Sequence, residues 1–218
     1  MIIPLPAAYR LTTAVKPSLN KLRLIIRTLR YRLLRQTDTT RWKDLRNFDP
    51  SWDLRTQAVA HLIPKGSRII EFGAGTQCLA SCLDATCTYI PADLVRRGSN
   101  MMVFDLNNRP LPDLRALDLD VAVFGGVLEY IADIRDIPQW LSGQASLCIA
   151  SYECSTPGLR TKEKLLERLS RISNGWVNHY TEPELKDLFR AGGFDFHSKA
   201  QWGLPGSEGS IFVFRKLQ

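Results

Sequence analysis

Ile69-Ile70-Glu71-Phe72-Gly73-Ala74-Gly75-Thr76-Gln77 is the stretch on which the fold turns. A short apolar run over residues 68–72 enters a G-x-G turn, and a helix follows to about residue 83. Glycine lets the main chain turn sharply and lets a ligand lie against it. A dinucleotide fingerprint would read G-x-G-x-x-G and place a third glycine at position 78, where this chain has Cys78. Glu71 stands two residues before the first glycine, and a carboxylate there suits a cationic ligand better than a pyrophosphate. Alone, a G-x-G is weak evidence, because an ordinary tight turn asks for the same residues.

Working outward, the same element type repeats with an acid or a small residue at each strand end. Strands are expected at 86–90, 100–104, 119–124, 146–151, 194–202 and 210–214. Helices are expected at 52–62, 127–141, 158–173 and 181–191, the last opened by a Thr181/Glu184 capping box and closed by Gly192-Gly193. Alternation of this kind predicts an α/β fold, an open and mainly parallel sheet covered on both faces, with ligands at the carboxyl ends of its strands. Asp93 follows the second strand, 22 residues after Glu71, at the distance where a carboxylate receives ribose hydroxyls. Asp105 ends the third strand, placed to accept from an adenine amino group. The fourth opens into Gly125-Gly126-Val127-Leu128-Glu129-Tyr130, a small-residue shelf. Each acid alone could cap a helix; their recurrence at successive strand ends points to one ligand.

Residues 67–152 resemble the nucleotide-binding half of the class I S-adenosylmethionine-dependent methyltransferases. The resemblance rests on Glu71, Gly73 and Gly75, on Asp93 and Asp105, and on Gly126–Ile131; residues 179–185 and 191–194 resemble that family's helix before the last strands. It implies a three-layer, doubly wound, Rossmann-like sheet of seven strands with an antiparallel last strand. It also implies a cofactor site made of Glu71, Gly73, Ala74, Gly75, Asp93, Leu94, Asp105, Leu106, Gly125, Gly126 and Val127. Asp-Leu-Val-Arg-Arg after the second strand and Asp-Leu-Asn-Asn-Arg-Pro-Leu-Pro after the third resemble a branch found beside surface-polysaccharide and glycolipid synthesis enzymes. The implied activity is methyl transfer to oxygen of a small molecule, sugar or lipid-linked glycan. Methylation of RNA or protein, and a cofactor-binding scaffold without catalysis, are the alternatives. The [D/N/S]-P-P-[Y/F] motif of base N-methyltransferases is replaced here by Phe124-Gly125-Gly126-Val127, which argues against nucleic acid. A hydroxyl acceptor usually needs a base. His179 is the first candidate, Glu153 and Tyr152 the next, and Trp176 and Trp202 could wall a sugar face.

The chain has 218 residues, 44% hydrophobic and 23% charged, which excludes a disordered or fibrous chain. No stretch is long and apolar enough to span a membrane. Residues 1–36 hold eight basic side chains and no acidic one, while the rest carries 21 basic and 22 acidic groups. The net charge of +7 is therefore the charge of an N-terminal arm. Within residues 17–35, Leu22, Ile25, Ile26, Leu29 and Leu33 form one helical stripe. Such a helix could dock on its own domain, lie on an anionic membrane, serve as an organellar transit peptide or bind nucleic acid. The expected organisation is a basic arm at 1–36, a helical connector at 37–60 and a methyltransferase domain at 61–218, in a cytoplasmic protein that is peripheral at the membrane if the arm binds lipid. Five cysteines cannot all pair, and neither their spacing nor the three histidines suggests a metal site.

Overall fold

The computed structural model describes residues 19–205 and 209–218. The first half of the arm, and residues 206–208 of the turn-rich segment, lie outside them. Seven strands form one sheet: β1 (Arg68–Phe72), β2 (Thr88–Asp93), β3 (Met102–Val103), β4 (Val121–Gly125), β5 (Leu147–Ser151), β6 (Phe194–Trp202) and β7 (Gly209–Lys216). Their order is β3-β2-β1-β4-β5-β7-β6, and β7 runs antiparallel between β5 and β6. The expected Rossmann-like sheet with an antiparallel last strand is what forms.

β4 is apolar throughout and β1 is apolar but for Arg68 and Glu71, and both lie in the middle of the sheet, where both faces are covered. Side chains alternate between the faces. Ile70, Phe72, Ala122, Phe124, Cys148, Ala150, Phe212 and Phe214 point into one core beneath α5 (Ile137–Ser142) and α7 (Glu182–Ala191). Ile69, Val121, Val123, Ile149 and Val213 point into the other, beneath α3 (Trp52–Ala60) and α4 (Cys78–Cys82). By the same alternation Glu71 belongs to the α3 face. That register decides which helix meets the carboxylate.

Three expectations need correction. The third strand covers only residues 102–103, because it is an edge strand and Asp105 turns the chain by accepting the Asn107 N–H through Oδ1 at 2.8 Å. The helix expected over 127–141 is a 3₁₀ turn at Leu128–Tyr130, an irregular stretch, and then α5. Asn178 draws the carbonyls of Leu128 (2.6 Å) and Ile131 (2.9 Å) out of any helix, and Asn107 takes the Ala132 N–H at 2.7 Å. Pro138 then starts the new helix in its first turn, where a missing N–H costs nothing. Finally, α1 (Leu19–Leu34) packs on α6 (Thr161–Ser173), but with the face of Leu24, Ile25, Thr28 and Tyr31. Of the predicted stripe only Ile25 turns inward; Leu22, Ile26, Leu29 and Leu33 face outward.

Candidate active site

A cavity of about 480 Å³ opens at the carboxyl ends of β1, β2 and β4. Its floor is the glycine turn. Gly73 and Gly75 have φ of 69° and 52°, in the left-handed region that side chains avoid. A Cβ on Gly73 would meet Val127 Cγ2 at 2.3 Å, and one on Gly75 would meet Phe48 Cε1 at 2.6 Å. Both positions therefore require glycine for conformation and for space. Asp93 fixes the turn: its Oδ2 accepts the Gly75 N–H at 2.8 Å, and its Oδ1 accepts the Val95 N–H at 2.9 Å. Arg97 reaches the same Oδ2 at 3.3 Å, lies over the Phe48 ring and donates to the Trp42 carbonyl.

Two opposite charges face this cavity. Glu71 is buried, and the Tyr89 hydroxyl donates to its Oε2 at 2.5 Å. Burial pushes the Glu71 carboxyl up to about 7; the Tyr89 hydrogen bond and the Arg55 charge oppose that rise, and Asp93 adds to it. Arg55, from α3, lies over Gly125 and Gly126, between the rings of Trp52 (5.1 Å) and Trp202 (5.4 Å). It has no hydrogen bond or ion pair with any described residue, and burial lowers its pKa. A largely buried cation without a hydrogen-bonded anion is costly, which suits it to meeting an anionic group of a ligand.

The far end of the cavity is polar. Asp105 Oδ1 accepts from the Thr37 hydroxyl at 2.7 Å, and Asn107 Nδ2 donates back to Thr37 Oγ1 at 2.6 Å. Oδ2 of Asp105 has no partner among the described residues. The side wall is aromatic: Trp42 meets Tyr130 edge-on at 4.8 Å and Phe48 at 5.9 Å, and Phe48 meets Trp52 at 5.9 Å. Trp42, Phe48, Trp52 and Arg55 all come from the segment read as a connector. That segment is a wall of the site. Arg41 pins it from outside by donating to the Asn174 carbonyl at 2.7 Å.

A family model described as a methyltransferase domain matches residues 37–199, from the start of that wall to the sixth strand. The chain belongs to this methyltransferase family. No curated protein matches it. Among solved structures it is similar to the 1,6-didemethyltoxoflavin N1-methyltransferase of Burkholderia thailandensis, with 16% identity and a TM-score of 0.55, covering 95% of this chain and 94% of that one. It is also similar to the magnesium protoporphyrin IX methyltransferase of Synechocystis, with 16% identity and a TM-score of 0.51, covering 75% and 85%. A methyltransferase of Aquifex aeolicus shows 13% identity and a TM-score of 0.52, covering 78% and 94%. At such identities the likeness is one of fold.

All of the residues expected to hold the cofactor line the methyltransferase cavity: Glu71, Gly73, Ala74, Gly75, Asp93, Leu94, Asp105, Leu106, Gly125, Gly126 and Val127. The three candidate bases lie elsewhere. The Tyr152 hydroxyl is buried, donating to Asn178 Oδ1 at 2.6 Å and accepting the Tyr180 N–H at 3.0 Å. Glu153 gives its backbone N–H to Glu129 Oε1 at 2.9 Å, and burial raises its own carboxyl. His179 Nδ1 accepts from Arg171 Nε at 3.2 Å, and burial, then the Arg171 charge, push its pKa down to about 4. Trp176 donates to the Tyr130 hydroxyl at 3.2 Å, and Trp202 stacks on Arg55, so both support the wall from behind.

Proposed function

We propose that this methyltransferase binds S-adenosylmethionine in the cavity and passes its methyl group to an oxygen of a small acceptor, with a sugar or lipid-linked glycan as the first class to test. The observation that carries the reading is the pairing of Glu71 with Arg55 on one largely apolar cavity. A carboxylate and a guanidinium that do not bond each other fit the two ends of an amino acid. Glu71 holds the ammonium end and Arg55 the carboxylate, over the Gly73–Gly75 main chain. Asp93 takes the ribose hydroxyls and Asp105 the adenine. The bound cofactor supplies a methyl carbon already activated by its sulfonium centre. What the chain must add is alignment and exclusion of water. The aromatic wall of Trp42, Phe48, Trp52 and Tyr130 does both, and offers a flat surface to a ring-shaped acceptor.

A hydroxyl acceptor also needs a place for its proton. The carboxylates of the cavity outside the cofactor set are Asp49 and Asp53. Asp49 Oδ1 is engaged by the Ser51 N–H at 2.9 Å, while the exposed Asp53 side chain has no bond to a described residue, so Asp53 is the cavity carboxylate open to an acceptor's proton.

Calorimetry with S-adenosylmethionine, and NAD as the control, tests the reading. Saturable binding of the sulfonium cofactor alone is expected, weakened at least about tenfold in Arg55→Gln and Asp93→Ala, since each loses a charge-assisted contact. Absence of binding would overturn the assignment. Transfer of a labelled methyl group to a panel of sugars and glycolipids then tests the acceptor class. Asp53→Asn should lower the rate there while leaving cofactor affinity unchanged.

A further inference from the structure

The outward face of α1 has no partner within the described fold. Leu33 is 84% exposed, Ile26 59%, and Leu22 and Leu29 are 45% each. Spaced i, i+4, i+7 and i+11, they make one stripe along about three turns, opposite the face that packs on α6. Arg23, Arg27 and Arg30 run along one flank of that stripe by helical spacing, Arg27 also holding Asp38 Oδ2 at 2.8 Å, and Arg32 lies on the other. The neighbouring helix adds Leu165, Leu166 and Leu169, each at least 40% exposed, among Lys162, Lys164 and Arg168 and the acids Glu163 and Glu167. At the carboxyl end of α1 a polar depression is lined by Arg32, Arg35, Arg135, Asp133 and Tyr180. An exposed apolar stripe of this extent marks a surface that meets something.

We infer that the α1–α6 face docks on an anionic lipid surface, the leucine stripe entering the headgroup boundary and the flanking arginines meeting lipid phosphates. Charge selects this occupant. The arm, residues 1–36, holds eight cations and no acid, so a second copy of this chain would bring two such faces into repulsion. An anionic bilayer offers apolar depth and negative charge together, each basic residue near it adding attraction.

Co-sedimentation of the full chain with vesicles of phosphatidylglycerol and phosphatidylcholine tests the inference, with pure phosphatidylcholine vesicles as control. Binding to the anionic vesicles alone is expected, and it should fall as salt screens the charges. Leu29→Glu with Leu33→Glu should cut it at least about tenfold, since each leucine then loses its apolar transfer and gains repulsion. Both positions are exposed, so the thermal unfolding and cofactor affinity of the double variant should match those of the parent. Failure of the parent to bind anionic vesicles, or unchanged binding by the double variant, would overturn the inference. So would a parent dimer, seen by light scattering, that the double variant converts to monomer without any vesicle binding.

Discussion

In the proposed reading Glu71 meets the ammonium of the cofactor, and its protonation then governs recognition. Burial holds its carboxyl at about 7, so below that pH the group is mostly neutral. An ammonium ligand needs the ionised form. The sign follows: cofactor binding draws a proton off Glu71, and affinity falls as pH drops through 7, by about tenfold per unit once the group is protonated. Calorimetry with S-adenosylhomocysteine across pH 5.5 to 8 should show that slope, and Glu71→Gln should flatten it. Tyr89→Phe removes a hydrogen bond that lowers the carboxyl, so its midpoint should move upward. A midpoint indifferent to Tyr89 would mean that the titrating group is another one. Arg55 acts on the same balance, because its charge also favours ionised Glu71. Its loss should therefore both weaken binding and raise the midpoint.

At the scale of elements, the cavity depends on keeping residues 127–136 out of a helix. Asn178 does this from a buried position, with three hydrogen bonds to Tyr152, Leu128 and Ile131. Asn178→Ala leaves a buried hydroxyl and two carbonyls short of partners, and should destabilise the fold by about 2–4 kcal/mol in urea unfolding. The sequence showed the glycine turn and the strand-end acids because those depend on local spacing. It did not show Arg55, whose meaning arises only when α3 crosses the sheet face that Glu71 occupies. Trp42, Phe48 and Trp52 within eleven residues were a signal of sorts, but aromatic residues in a short connector read equally well as packing. His179, Glu153 and Tyr152 stood at plausible places along the chain. The burial of Tyr152 and the bonds of the three to Arg171, Glu129 and Asn178 depend on contacts that no spacing reveals. The same holds for the leucine stripe of α1, whose existence was legible but whose direction was not.

The whole molecule couples these parts through the cofactor. The site draws on the segment before β1 and on the ends of β1, β2 and β4, with Asp105 just beyond β3, so a ligand that bridges them favours the folded state throughout. At a hundred times its Kd, S-adenosylhomocysteine should add about 2.7 kcal/mol of stability. For a chain of 218 residues that raises Tm by roughly 5–10 °C, which differential scanning calorimetry can read directly. Arg55→Gln should shrink the ligand-induced rise, because the cation that would meet the ligand's carboxylate is gone. The aromatic wall has an optical consequence as well. Two of the five tryptophans, Trp42 and Trp52, line the cavity, and a purine nucleoside entering it changes the surroundings of both indoles. The protein thus carries its own fluorescent reporter of occupancy, placed by the fold on the surface that a bound nucleoside would touch.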